Sequence, residues 1–202
     1  YLTNREQLVE TVLSGLGQVV DSPIYYFRPE YDKSLRSYPF DPPKALALLA
    51  EAGWSDTDGD GVLDNEIDGK RVPFRFELKF NSGNPIRKSV ALALQDELKK
   101  HGIAVTVRQL DWTIFLDDVR HHKFDAMILG WGISVNEPDS FQVWHSSQAA
   151  NKGSNMISFK NQRVDQILEA YRKEFDSTKR IKMYREFQQI LHAEQPYTFL
   201  FI

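Results

Sequence analysis

Residues 72–110, VPFRFELKFNSGNPIRKSVALALQDELKKHGIAVTVRQL, hold a strand, a helix and a second strand in immediate succession. Val72 to Phe80 alternates, with Phe74, Phe76, Leu78 and Phe80 on one side, which is the two-residue period of a half-buried strand. Pro73 offers no backbone N–H, so it belongs at the start of this strand or on an edge. Pro85 to His101 changes to helical spacing with Val90, Ala91, Leu94 and Leu98 inward, and Gly102 breaks it. Ile103 to Leu110 then alternates again. A helix of this length between two strands serves as a crossover, which predicts parallel pairing and an α/β fold.

The chain downstream extends the pattern. Trp112, Phe115, Leu116 and Val119 fall at helical spacing, and a third strand is expected from about Asp125 to Gly130, with Trp131 at its end. Ligands of open α/β sheets gather beyond the carboxyl ends of the strands, so residues 112–141 read as the wall of a cleft. Upstream, Thr3 or Asn4 caps a helix with Leu8, Val9, Val12 and Leu13 on its face, ending at Gly15. Residues 15–42 carry four of the nine prolines and predict irregular chain. Asp41 caps a second helix that begins at Pro42 or Pro43, shows Ala45, Leu48, Leu49 and Ala52 on one face and stops at Gly53. The last third predicts two amphipathic helices. Val164, Ile167, Leu168 and Tyr171 mark the first. Ile181, Tyr184, Phe187, Ile190 and Leu191 mark the second, capped at Asp176 or Ser177 and ended by Pro196. Tyr197 to Ile202, YTFLFI, reads as a strand that belongs partly to something outside the chain, because a bare apolar edge invites aggregation.

With 202 residues, 42% hydrophobic and 26% charged, the chain is expected to form one domain of ordinary globular composition, 1–202. A net charge of -3 supplies no footprint for nucleic acid. The absence of cysteine excludes disulfides, thiolate metal sites and a cysteine nucleophile. No apolar stretch approaches the roughly 20 residues of a membrane helix.

Several segments, in this order and with these gaps, resemble one family. They are TNREQLVETVLSGLG (3–17), YPFDPPKALALLAEAGW (38–54), DTDGDGVLDNE (56–66), and the run W-x-x-F-L-D, F-D, G-W and N-E-P-x-S-F between Trp112 and Phe141. The chain resembles the C-terminal lobe of the extracellular solute-binding proteins that serve ABC importers of the oligopeptide, dipeptide and nickel class. The resemblance implies one lobe of a type II periplasmic-binding-protein-like fold, with a mixed sheet flanked by helices. It also implies a hinged receptor that closes on a small solute, peptide or similar, and hands it to ABC permease subunits. The partner lobe would be an N-terminal lobe of the same protein outside this chain. The place of work implied is periplasmic or lipid-anchored outside the membrane, with no cofactor required and no enzymatic activity.

Trp131 is the first candidate ligand contact, since a rigid ring at a strand's carboxyl end covers apolar or peptide-like groups at low entropic cost; the alternative is that it closes the core. Gly132, Ser134 and Asn136 follow it in the same loop, and Trp112 and Leu116 are candidates for the cleft wall. Trp112 and Trp144 also suit a packing role. Relatives that bind peptides commonly place an aspartate three residues after this tryptophan to hold the α-ammonium group, whereas this chain has Ser134, a weaker uncharged partner. Glu137 and Asp139 are candidates to supply that charge. Val119 and Ile128 are apolar where some peptide binders carry arginines. Both departures point to a less zwitterionic solute.

Asp56, Asp58, Asp60, Gly61 and Asp64 match the first nine positions of a calcium loop, D-x-D-x-D-G-x-x-D, but the twelfth is Ile67 and not glutamate. The segment is either a structural calcium site or a tight acidic turn. His121 and His122 point to different sides of a helix, so a shared metal needs outside ligands. Lys179, Arg180, Lys182 and Arg185 read as a solvated helix face. No G-x-S-x-G, H-E-x-x-H or G-x-x-x-x-G-K motif occurs. The competing functions are a calcium-stabilised interaction domain and a small hydrolase working through Asp117, Asp118 and Asp125, of which Asp117 and Asp118 diverge as helix neighbours.

Overall fold

A computed structural model describes residues 1–132, 139–150 and 153–202. Its contacts fall into two compact units. The first comprises residues 1–17, 38–116 and 124–130, and the second residues 18–37, 117–123 and 131–202.

The first unit is built on the crossover. Strand β3 (Arg75–Asn81) pairs in parallel with β4 (Ala104–Leu110) from Arg75↔Ala104 to Asn81↔Leu110, with helix α3 (Pro85–Lys99) between them in sequence. The short strand β5 (Ala126–Met127) joins the other edge of β3, also in parallel, giving the order β4-β3-β5. Leu78 and Phe80 fall on one face of the central strand and pack with Ala91, Ile103 and Val105. Full burial of a side chain the size of Phe80, 1% exposed, contributes roughly 1.5–3 kcal/mol. Asn84 caps α3 by accepting from Arg87 N at 3.0 Å. Gly102 ends the turn after it in the left-handed region, and the Ile103 N–H reaches back to Leu98 O at 3.1 Å, a closure that favours glycine.

Helix α1 (Arg5–Val12) is capped by Asn4, and α2 (Pro42–Glu51) by Asp41. The face assigned to α2 is narrower than its spacing suggests: Ala45 is buried, but Leu48 is 44% exposed and Ala52 lies at the surface. The expected single strand from Val72 to Phe80 is broken at Phe74. Its first part is β2 (Lys70–Pro73), which folds back antiparallel on β1 (Asp64–Ile67). The physical cause is the Asp68–Gly69 turn, where both residues have positive φ, 52° and 71°, a geometry that joins tightly paired strands. Among the described residues the antiparallel strand pair is this hairpin, beside isolated antiparallel bridges, and the three-stranded sheet is parallel. Helix α4 (Trp112–Arg120) begins in the first unit, and the boundary between units falls after its Leu116.

The second unit is helical. Helices α5 (Phe141–Trp144), α6 (Gln162–Tyr171) and α7 (Ser177–Glu194) enclose a core of Trp144, Val164, Ile167, Leu168, Tyr171, Tyr184, Phe187 and Leu191. Asn161 and Asp176 cap α6 and α7. All four residues that mark α6 in the sequence are buried. The irregular segment 18–37 is tied down through Gln188, which is fully buried. Its Oε1 accepts from Ser22 Oγ at 2.8 Å and Asp32 N at 3.1 Å, and its Nε2 donates to Glu30 O at 2.7 Å and Tyr184 O at 2.9 Å.

The terminal YTFLFI is not a strand. Its regular pairing among the described residues is a single bridge, Phe201 to Val19, with paired bonds between Gln18 and Ile202. Tyr197 and Phe199 instead turn their rings onto Trp144, at centroid distances of 4.7 and 6.3 Å. Both rings are partly buried against the helical core.

Candidate functional site

Each candidate ligand contact is placed within its own unit. Trp131 is 40% exposed, which rejects the reading in which it seals the core. Burial pushes the Tyr197 phenol above its ordinary range, and the nearby Trp131 indole opposes that shift. Gly132 is exposed as well. Ser134, Asn136 and Glu137 lie outside the described residues.

In the first unit, Trp112 is 49% exposed and stacks on buried Phe115 with 6.0 Å between centroids. Leu116 is half-buried. Trp144, by contrast, is 2% exposed and forms part of the core. Packing explains Trp144 and leaves half of the Trp112 ring unexplained.

The chain after residue 138 is anchored firmly. Asp139 accepts both Nε and Nη2 of Arg172, at 3.2 and 2.6 Å, and caps Phe141 N at 3.2 Å. Ser140 N donates to the Tyr184 hydroxyl at 3.1 Å. The Arg172 guanidinium also lies 3.8 Å from the Phe141 ring, whose plane stacks on His145 at 4.1 Å. Asp139 is thus committed to a bidentate ion pair and is not a free counter-charge for a ligand ammonium. The sequence gives no signal for this pairing, because Arg172 is 33 residues away.

The Arg172 bond, ahead of the Phe141 amide, holds the Asp139 carboxyl below its usual range, against the opposing effect of burial. A depressed folded pKa contributes stability that is complete above the unfolded carboxylate pKa and is lost as pH falls through the folded one. We expect Arg172→Gln to lower stability at neutral pH and to flatten its fall below about pH 4. Urea titrations from pH 7 to pH 2 check this, and parallel curves for variant and parent would refute the role of the pair.

The acidic loop is organised by hydrogen bonds of its own. Asp56 accepts from Gly59 N and Gly61 N at 2.8 and 3.0 Å, and Asp60 from Val62 N at 2.8 Å. Asp64, 4% exposed, accepts from Thr57 N at 3.0 Å and Thr57 Oγ1 at 2.6 Å. One oxygen each of Asp56, Asp58 and Asp64 lies within 4.8 Å of the others, without Asp60. Asp58 pairs with Arg71 at 2.7 Å and Asp60 with Arg75 at 3.2 Å, so two cationic side chains offset half of the loop's carboxylate charge. Added calcium is expected to move the melting temperature by less than about 2 °C relative to chelator, below the size of a 1 kcal/mol effect in a chain this long. A larger calcium-dependent rise would favour a structural calcium site over the acidic turn.

The remaining candidates do not converge. His121 Nδ1 faces Asp117, with 2.8 Å to its carbonyl and 3.1 Å to its carboxylate, while His122 Nδ1 meets Ser158 Oγ at 3.4 Å. Asp125 accepts from Glu77 N at 2.9 Å, a structural bond beside β3.

A parallel sheet with a crossover helix and an exposed ring just beyond a strand's carboxyl end define a binding lobe of the type II periplasmic-binding-protein fold, and solved structures of that fold superpose on the chain. The chain belongs to the bacterial extracellular solute-binding proteins of family 5, whose middle-region model matches residues 1–153. It is similar to the oligopeptide-binding protein AppA of Bacillus subtilis, at 37% identity over 98% of this chain and 36% of the relative. The structure of AppA in complex with a nonapeptide superposes with a TM-score of 0.89 over 99% of this chain and 39% of that one. The oligopeptide-binding protein of Thermus thermophilus, complexed with a pentapeptide, gives 0.89 at 26% identity over 100% and 36%. NikZ of Campylobacter jejuni, in complex with Ni(L-His), gives 0.87 at 31% identity over 100% and 40%. The chain spans little more than a third of the length of these relatives. The family consists of binding proteins and not enzymes.

Proposed function

We propose that this chain is one lobe, containing both units, of a receptor that captures a peptide or similar small solute in an interlobe cleft and delivers it to ABC permease subunits. The second lobe would come from residues outside this chain, and the receptor would work in the periplasm or anchored by lipid outside the membrane. The observation that carries the reading is Trp131, whose ring is 40% exposed just past the last strand in a family of solute-binding proteins. A large ring with few rotatable bonds loses little entropy on contact. We assign Trp131, Gly132, Ser134 and Asn136 as ligand contacts, with Trp112 and Leu116 as wall residues. The bound peptides of the AppA and Thermus thermophilus structures support a peptide ligand. Ser134 and the Asp139–Arg172 pair favour one whose ammonium end is not held by this loop.

Mass spectrometry of the solute retained by the full-length receptor tests the reading. Recovery of peptides or small polar solutes in stoichiometric amount is expected, and a receptor that retains and binds none would refute it. Trp131→Ala is expected to weaken binding of that solute at least tenfold, as loss of a buried aromatic contact does, while stability changes by less than about 1 kcal/mol. Calorimetry and thermal melting of one preparation separate the two effects.

A further inference from the structure

Phe175, in the turn between α6 and α7 of the second unit, is 92% exposed. A ring held that far into water contributes nothing to the core, and the turn that carries it is ordered. Glu174 Oε1 accepts from Phe175 N and Asp176 N, both at 2.9 Å, and Asp176 Oδ1 caps α7 through Lys179 N at 3.0 Å. Both acids of the turn are therefore directed onto backbone donors.

The cations around the ring are disposed differently. Residues 172–185, RKEFDSTKRIKMYR, hold six of them against those two acids, in a chain whose net charge is -3. Arg172 and Arg180 lie over the rings of Phe141 and Tyr171, at 3.8 and 4.0 Å. Lys173 and Lys182 are exposed and form no ion pair among the described residues. Lys179, 65% exposed, reaches Glu174 only at 3.7 Å, a surface pair of little worth. All three lysines stand within seven residues of Phe175.

We propose that this turn is a membrane-contact site, at which the Phe175 ring enters the headgroup region of an anionic bilayer while Lys173, Lys179 and Lys182 meet phospholipid phosphates. The lysine stems lie along the apolar boundary and their ammonium groups stay among the headgroups. A protein partner would call for an apolar anchor set in a dry, contiguous patch, whereas the neighbours of Phe175 in the chain are Lys173, Glu174, Asp176 and Ser177. A bilayer closes around a lone ring without shape complementarity and attracts the cations beside it. Each lysine near an anionic surface raises partition about fivefold, so the three together favour that surface by about a hundredfold over a neutral one. The contact does not depend on the solute cleft and goes beyond solute capture.

The test uses the full-length protein prepared without any lipid attachment, and co-sedimentation with vesicles of phosphatidylcholine alone or mixed with phosphatidylglycerol. Wild type is expected to partition onto the mixed vesicles about a hundredfold more strongly than onto the neutral ones, and to be released by high salt. Phe175→Ser should lower that partition about tenfold, as removal of a large apolar group from the interface does. Lys173→Glu combined with Lys182→Glu should bring it down to the neutral level. These side chains are exposed, so the melting temperature should stay within about 2 °C of the parent, which separates lost contact from lost fold. A dye attached at Phe175→Cys, the sole cysteine of this chain, should shift its emission to the blue on the mixed vesicles only. Equal binding of both vesicle types by wild type, no binding to either, or a partition unchanged in Phe175→Ser would overturn the proposal. Binding that appears only when permease subunits are reconstituted in the vesicles, and that Phe175→Ser abolishes, would overturn it in favour of a protein partner.

Discussion

Replacing Gln188 with leucine is expected to lower stability by about 3 kcal/mol, because three buried groups lose their partner at roughly 1 kcal/mol or more each. They are the Ser22 hydroxyl, the Asp32 N–H and the Glu30 carbonyl. Tyr184 O loses little, since it remains a helix carbonyl with its own backbone donor. All four bonds of the Gln188 amide are satisfied in a side chain with no exposed surface, which is the condition under which a polar network specifies a fold instead of weakening it. At roughly 2–4 °C per kcal/mol for a chain of this length, the melting temperature should fall by about 6–12 °C. Segment 18–37 should become the first site of proteolysis. A variant that melts within about 2 °C of the parent would show that 18–37 is held by its apolar contacts, such as Ile24 and Tyr31, alone.

Trp144→Ala should cost about 3–5 kcal/mol, the range for removing a large aromatic from a core. The ring is 2% exposed and meets Phe159, Phe187, Tyr197 and Phe199 at centroid distances of 5.8, 6.2, 4.7 and 6.3 Å. Its loss opens a cavity at the centre of the helical unit and also removes the surface that holds the terminal YTFLFI. Trp112→Ala is the internal control: with half its ring in solvent, it should cost about 1 kcal/mol or less. Chemical denaturation of both variants checks the contrast, and equal losses would mean that the exposure of Trp112 is not its state in solution.

The legibility of this chain follows the range of the forces involved. The three strands of the parallel sheet, the crossover helix, the cap at Asp41, the caps narrowed to Thr3 or Asn4 and to Asp176 or Ser177, and the buried face of α6 are readable because each depends on residues within one or two turns. The hairpin of β1 and β2 is also written locally, in Asp68–Gly69, but the alternation of 72–80 runs across Phe74 without a break and masks it. Trp131 stands out by its place after a strand. The ion pair of Asp139 and Arg172 and the four partners of Gln188 are not readable. Each joins side chains 33 or more residues apart, except the Tyr184 carbonyl.

The sequence by itself therefore determined the α/β class, the parallel crossover, the helix ends and the family, since periodicity, capping and motif spacing are properties of neighbours along the chain. Tertiary structure alone decided that Tyr197 and Phe199 pack on Trp144, that Asp139 is spent on Arg172, and that Arg71 and Arg75 pair with Asp58 and Asp60 of the acidic loop. Charge pairing and ring burial depend on distances in space, and spacing along the chain does not specify those.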